Sequence, residues 1–185
     1  MPNISAVIAT LNEDDTVRNC LETLRWCDEI IVVDNGSSDN TVDIAEEYAD
    51  NIYYYQKQHG HGDPLQKFGV EKASNDWVII VDADELITPS LACRLQTIAE
   101  AHSADVVEIP FKNYIIGRWI KGAGWWPAHH PRFFHKDKVN VTSEIHKNIW
   151  VDSDASVKKL TPSEGNYVYH FNYYSVSEYL DRMNS

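Results

Sequence analysis

Long apolar runs are missing from this 185-residue chain. None approaches the roughly 20 residues that a membrane-spanning helix needs, and the opening MPNISAVIATLNE lacks the basic-then-apolar order of a secretory signal. The expectation is a soluble, cytoplasmic protein whose contact with a membrane, if any, is peripheral and at the cytoplasmic face. Cysteine is scarce: Cys20, Cys27 and Cys93 are the only three. Cys20 and Cys27 sit on a helix and its exit, about 10 Å apart along the axis, too far for a bridge. A reducing compartment follows. Positive charge is also short, with 16 Lys and Arg against 28 Asp and Glu and a net charge of -12. That excludes a nucleic-acid binder, which needs a basic footprint. There is no internal repeat and no low-complexity tract, and the length suits one domain.

What is present alternates strand with helix. ISAVIAT (residues 4–10) reads as a strand, and DDTVRNCLETLRW follows with Val17, Leu21 and Leu24 at helical spacing and Asp14 or Asp15 as its cap. EIIVVDN is apolar on both faces, as buried parallel strands are. The turn GSSDNT leads into the helix TVDIAEEYA, then NIYYY reads as a third strand and residues 65–73 as a helix. DWVIIVDADE is a fourth strand, and Thr88 followed by Pro89 starts the helix SLACRLQTIAEA. This order predicts an α/β fold with a mostly parallel sheet covered by helices on both faces. The segment NYIIGRWIKGAGWWPAHHPRFFHK has no helical period and is expected to form irregular strands and loops over the site; NYYSVSEYLDRMNS is expected to hold a helix from Ser175 or Ser177.

Ligands of such sheets bind beyond the carboxyl ends of the strands. Three polar clusters occupy those positions: Thr10, Asn12 and Glu13; Asp34 to Ser37; and Asp82, Asp84 and Glu85. Asp82 and Asp84, two apart at a strand end, can turn to one side. Carboxylates this close repel unless a cation joins them, and hard cations such as Mg2+ or Mn2+ take carboxylate and phosphate oxygens together. The alternative is a solvated acidic turn, which the two neighbouring clusters disfavour. Glu85 is expected to support the site by hydrogen bonds. Gly36 after Asp34 permits a tight turn, and Asp39 suits a helix cap better than Asp34 does. Asn12 and Glu13 fit either a nucleotide or the start of the first helix. His59 and His61 lie in a glycine-rich loop unsuited to a preorganised metal site, and His129 and His130 are treated alike. Trp119, Trp125 and Trp126 suit either a sugar face or the core.

VIATLNE, IIVVDNGSSDNT, ASNDWVIIVDADE and GRWIKGAGWWP…RFFHK…IHK…YHFNYYSVSEYLDRMN occur in that order. Together they resemble family 2 glycosyltransferases of GT-A fold, in particular the branch of lipopolysaccharide-core glucosyltransferases. The resemblance spans nearly the whole chain and implies one glycosyltransferase domain over residues 1–185. Residues 1–110 are the nucleotide-sugar half, and residues 111–185 an acceptor half that stops short of the family's length. It implies that Thr10, Asn12, Glu13 and Asp34 line the nucleotide pocket and that Asp82 approaches the ribose or the metal. Asp84 binds the metal at the diphosphate, and His146 matches a histidine near the reaction centre and is assigned to the metal. Relatives carry Lys or Arg then Asn before the third helix. This chain has Gln66 and Lys67, and Lys67 is assigned to the donor. Leu11 stands where relatives often have an aromatic residue, and Lys147 where they have Glu.

The function implied is metal-dependent, inverting transfer of a sugar from a nucleoside-diphosphate donor to a hydroxyl of a glycan, lipid-linked or protein acceptor, in cell-envelope glycan synthesis. With Lys147 in place of Glu, the general base falls to Glu144 first and Asp137 second. Two rivals come from other classes: a degenerate module that binds nucleotide-sugar without turnover, and a DxD phosphatase of haloacid dehalogenase type with the first Asp as nucleophile. The latter's motif ordinarily sits near the chain start, with Thr or Val following.

Overall fold

The computed structural model describes residues 2–55, 63–142, 149–163 and 165–173. The first half follows the alternation read from the sequence: β1 (Ile4–Thr10), α1 (Val17–Glu22), β2 (Glu29–Asp34), α2 (Thr41–Ala45), β3 (Asn51–Tyr54), α3 (Asp63–Lys72) and β4 (Trp77–Asp82). A short β5 (Glu85–Ile87) and α4 (Pro89–Ala101) come next. The second half is strands: β6 (Val106–Ile115), β7 (Arg118–Trp119), β8 (Ala128–His135), β9 (Val139–Val141), β10 (Ile149–Val151), β11 (Val157–Lys159) and β12 (Val168–Tyr173). The main sheet runs β3-β2-β1-β4-β8-β6-β12-β5, with β7 and β11 also on β6. Pairing is parallel from β3 to β4 and antiparallel where β8 enters between β4 and β6. The sheet crosses residue 110 without a break, since β6 spans it.

Alternation along the strands sorts the core into two layers. Ala6, Ile8, Val32, Ile79 and Val81 face α1 and α4, which return Leu21, Leu91 and Leu95. Val7, Ile31, Val33, Val78 and Ile80 face α3, which returns Leu65 and Val70. α3 lies unusually close: a Cβ at Gly69 would stand 2.3 Å from Val7 Cγ1 and 3.1 Å from Val33 Cγ2. Thr88 caps α4 as expected, its hydroxyl accepting the Leu91 N–H at 3.1 Å, with Pro89 in the first turn.

Two expectations change. The first helix is capped neither by Asp14 nor by Asp15; it starts at Val17 behind Thr16, and Asp14 instead accepts from the Asn40 side chain of the next loop. The segment expected to form irregular strands and loops over the site contains β8, a bulged strand in the middle of the sheet. Its Phe133 and Phe134 are both fully buried, one in each layer. Its His, Pro and Arg content hid it, because strand preference reflects fit to a half-buried pleat more than residue type. The helix expected from Ser175 or Ser177 lies outside the described residues, as do His59 and His61. Among the described residues no helix is long and apolar enough to cross a membrane, and Cys20, Cys27 and Cys93 are all free thiols.

Asp105 ties β11 to the turn before β6. Its carboxylate accepts the Ser156 N–H at 2.8 Å and the Ser156 hydroxyl at 2.7 Å, and His102 at 2.9 Å. These bonds hold its pKa down to about 2. A depressed carboxylate stabilises the fold above its unfolded pKa and loses that contribution as pH falls through the folded value. Asp105→Asn is therefore expected to cost about 1–2 kcal/mol in urea unfolding at pH 7 and only a small fraction of that near pH 2; an equal cost at both would contradict the assignment. Gly69→Ala should lower stability by about 1–3 kcal/mol through overpacking on Val7. An unchanged urea midpoint would show that α3 shifts freely on the sheet.

Candidate active site

β4 leaves the sheet at Asp82, and the chain turns through Ala83 and Asp84 before β5 begins at Glu85. Glu85 closes the turn by accepting the Asp82 N–H at 2.9 Å. One guanidinium holds both acids: Arg132 Nη2 donates to Asp82 Oδ2 at 2.8 Å and to Glu85 Oε1 at 3.0 Å. Gln66 Nε2 donates to the other Asp82 oxygen at 2.8 Å. Arg132 arrives through a β-bulge. On β6, Val107 and Glu108 are consecutive, yet they pair with Phe133 and Pro131. Arg132 is the extra residue, and bulges re-aim side chains in this way. Burial alone would raise the Asp82 pKa, but the charge and hydrogen bond of Arg132 outweigh it and hold the group below the ordinary carboxylate range. At Glu85 burial wins over Arg132, and its pKa is pushed up to about 8.

Asp84 faces β12. Its Oδ2 lies 3.5 Å from His170 Nε2, and the Phe171 N–H donates to its carbonyl at 3.1 Å. His170 Nδ1 meets Asn113 Oδ1 at 2.8 Å, which fixes the ring and directs Nε2 at Asp84. Burial would lower the His170 pKa, but the hydrogen bond and charge of Asp84, with Glu85 and Asp82, raise it. Asp84, Glu85 and His170 each offer a ligand atom, all within 4.8 Å of one another. Two carboxylates and one imidazole suit a divalent cation of the Mg2+ to Mn2+ range, the nitrogen favouring Mn2+.

The other two clusters meet beside this turn. Thr10 Oγ1 donates to Asp34 at 3.2 Å. Asp34 is buried and accepts the N–H groups of Gly36 and Ser37 at 2.8 and 2.9 Å and the Ser37 hydroxyl. Asn12, in the left-handed region at φ 55, stitches the loops together. It donates N–H to Ser37 Oγ at 2.9 Å and accepts the Ser38 N–H at 2.8 Å. The Glu13 N–H donates to Thr41 Oγ1 at 2.7 Å, and its carboxylate accepts the Thr16 hydroxyl. Thr10, Asn12, Glu13, Asp34, Asp82 and Asp84 thus share one edge of the sheet.

Two assignments do not reach it. Lys67 points along α3 toward Glu71, 4.0 Å away and largely solvated; its neighbour Gln66 is the residue that meets Asp82. Asp137 is exposed in the 3-10 turn after β8. β8 runs antiparallel to β4, with His135 opposite Trp77, so Asp137 stands at the amino end of β4. That is five strand residues, about 16 Å, from Asp82. It is withdrawn as the base. Glu144 and His146 lie outside the described residues. Arg132, His170 and Asn113 were not found from sequence. Pro131 was the available signal, since proline inside a strand marks a bulge or an edge.

The chain matches the family model Glycosyl transferase family 2 over residues 5–158, and it belongs to that family. It is 32% identical over 120 residues to the lipopolysaccharide core biosynthesis glycosyltransferase LpsC of Rhizobium meliloti, covering 62% of this chain and 44% of the relative. It is 30% identical over 177 residues to the SPbeta prophage-derived glycosyltransferase SunS of Bacillus subtilis, covering 89% and 42%. The chain therefore spans less than half of these relatives. Among solved structures, S. aureus TarS in complex with UDP superposes with a TM-score of 0.68 at 18% identity, over 98% of this chain and 63% of that one. TarS with UDP-GlcNAc gives 0.67 at 17%, over 92% and 58%. The GT-A type α/β fold expected from the sequence is the fold observed.

Removing the guanidinium should expose the cost of the acid pair. Arg132→Met is expected to lower stability by about 1–3 kcal/mol at pH 7, since it leaves the half-buried Asp82 carboxylate without its cation and the buried Glu85 without a donor. Addition of Mn2+ should recover more of the melting temperature in this variant than in the parent. A loss below about 1 kcal/mol would mean that Asp82 and Glu85 are held by other contacts.

Proposed function

We propose that this chain carries the donor site of a glycosyltransferase that moves a sugar from a nucleoside diphosphate to an acceptor hydroxyl with a divalent cation. The observation that carries the reading is the Asp84–His170 pair beside the Thr10–Asp34 loops on one sheet edge, in a family 2 chain. TarS, of the same fold, binds UDP and UDP-GlcNAc, which makes UDP the first nucleotide to test. The loop edge formed by Thr10, Asn12, Glu13 and Asp34 lies where the nucleoside would rest. Leu11 is exposed there, offering an apolar side chain to the base.

Asp84 and His170 hold the cation, with Glu85 behind them. When bound, a divalent cation offsets charge on the departing diphosphate. Arg132 keeps Asp82 ionised and oriented toward the donor. His170 must be neutral to bind metal, so cation binding releases the proton that Asp84 otherwise favours. The acceptor oxygen attacks the anomeric carbon from the face opposite the diphosphate and inverts it, while a base takes the hydroxyl proton. Glu144 stays the proposed base and His146 a further metal-side residue. The relation to LpsC supports an acceptor in a cell-envelope glycan, and lipid-linked or protein acceptors are the alternatives. The phosphatase reading requires Asp82 as nucleophile, yet both its oxygens already accept hydrogen bonds from Gln66 and Arg132.

Asp84→Ala should reduce transfer by about 100-fold or more while leaving the unfolding midpoint near that of the parent. Undiminished turnover in the variant would overturn the reading. Nucleotide binding without any transfer by the parent would instead identify a binding module.

A further inference from the structure

Beside the acid turn lies a cavity of about 380 Å³, lined among others by Phe111, Asn113, Trp125, His130, Arg132 and His170, with Asn172 at its edge. Arg132 and His170 also hold Asp82 and Asp84, so two residues of the cavity wall are in contact with the acid turn. Two bulges shape it. Arg132 is the unpaired residue of β8, and Asn172 is the residue skipped between Phe171 and Tyr173 where β12 pairs with β6.

The three tryptophans of this region separate clearly. Trp119 and Trp126 pack edge to face at 5.3 Å. Trp119 also carries Lys112 and Lys121 over its ring at 4.3 and 4.2 Å, and Trp126 meets Tyr167. Trp125 differs: among the described residues nothing aromatic or cationic covers its indole, which is 37% exposed on the cavity wall. Its backbone is nevertheless fixed. Its N–H donates to the Gly122 carbonyl at 3.0 Å, and its carbonyl accepts from Asn113 Nδ2 at 3.2 Å. The two residues before it, Ala123 and Gly124, have φ of 53 and 81. Ala123, a non-glycine residue, is thus held in the left-handed region.

In a chain of net charge -12, no Asp or Glu among the described residues lines this cavity, and the guanidinium of Arg132 is already engaged with Asp82 and Glu85. What remains is a flat apolar ring, amides and imidazoles, the chemistry that matches the apolar C–H face and the hydroxyl rim of an uncharged pyranose.

We propose that this cavity receives the sugar of the donor, that Trp125 is the platform on which its ring stacks, and that the sugar is an uncharged pyranose. The inference rests on the nucleotide-sugar reading above. With its diphosphate at Asp84, the sugar passes His170 into the cavity and lies against Trp125. Asn172 and His130 reach its hydroxyls. An acidic sugar would bring a carboxylate to a wall on which the described residues offer no free cation.

Calorimetry with Mn2+ on the full chain tests this, using UDP, UDP-glucose, UDP-N-acetylglucosamine and UDP-glucuronic acid. The parent should bind at least one neutral UDP-sugar more tightly than UDP, and UDP-glucuronic acid no more tightly than UDP. Trp125→Ala should weaken the neutral UDP-sugar by about 5- to 10-fold and leave UDP within about twofold, with Trp125→Phe recovering most of the loss. Equal losses for UDP and UDP-sugar, an unaffected UDP-sugar, or preference for the glucuronic acid form would each overturn the proposal while sparing the donor site. If the parent binds none of UDP, GDP, ADP and dTDP with Mn2+, the donor-site reading falls and this proposal falls with it.

Discussion

The arrangement depends on one guanidinium. Asp82, Asp84 and Glu85 crowd a single turn, and without a cation their repulsion and desolvation would drive protons onto them or open the loop. Arg132 bridges Asp82 and Glu85 at hydrogen-bond distance and leaves Asp84 to His170. The division of labour follows from it. One acid is kept ionised and fixed, and one is buried with its pKa pushed up to about 8. The third, Asp84, lies beside the His170 imidazole. Such a pair is weak evidence for net stability, but it sets where each carboxylate points.

The fold supplies these groups from distant parts of the chain. The parallel half places the acids at strand ends, as open α/β sheets place their ligands. The antiparallel insertion of β8 then lays Arg132 against them, and the return of β12 beside β6 brings His170 opposite Asn113 and Glu85. Both bulges fall at this junction. An extra residue in each strand is what turns Arg132 and Asn172 toward the cavity. The site is therefore a product of where the two halves of the sheet meet.

Legibility in the sequence divides along the same line. β1, β2 and β4 announce themselves by continuous Val and Ile, and Thr88 with Pro89 marks the start of α4, because these signals are local. The gathering of Thr10, Asn12, Asp34, Asp82 and Asp84 was readable too, since parallel strand ends share an edge. Arg132 and His170 were not, because their place depends on pairings 47 or more residues away in sequence and on strands built from His, Phe and Pro. Asp137 misled for the same reason: without the direction of β8 there was no way to see that it is carried to the far end of β4. Lys67 was one position off. On a helix a single residue turns the side chain by about 100°, and it is Gln66 that faces the acids.

In the proposed mechanism Asp84 and His170 complete a cation site that only a nucleoside diphosphate makes tight. Electron paramagnetic resonance of Mn2+ titrated into the chain, with and without UDP, reads this directly. Weak binding of Mn2+ alone is expected, with one tight Mn2+ per chain once UDP is present and loss of that site in both Asp84→Ala and His170→Ala. Tight binding that ignores UDP, or that survives both substitutions, would place the cation elsewhere.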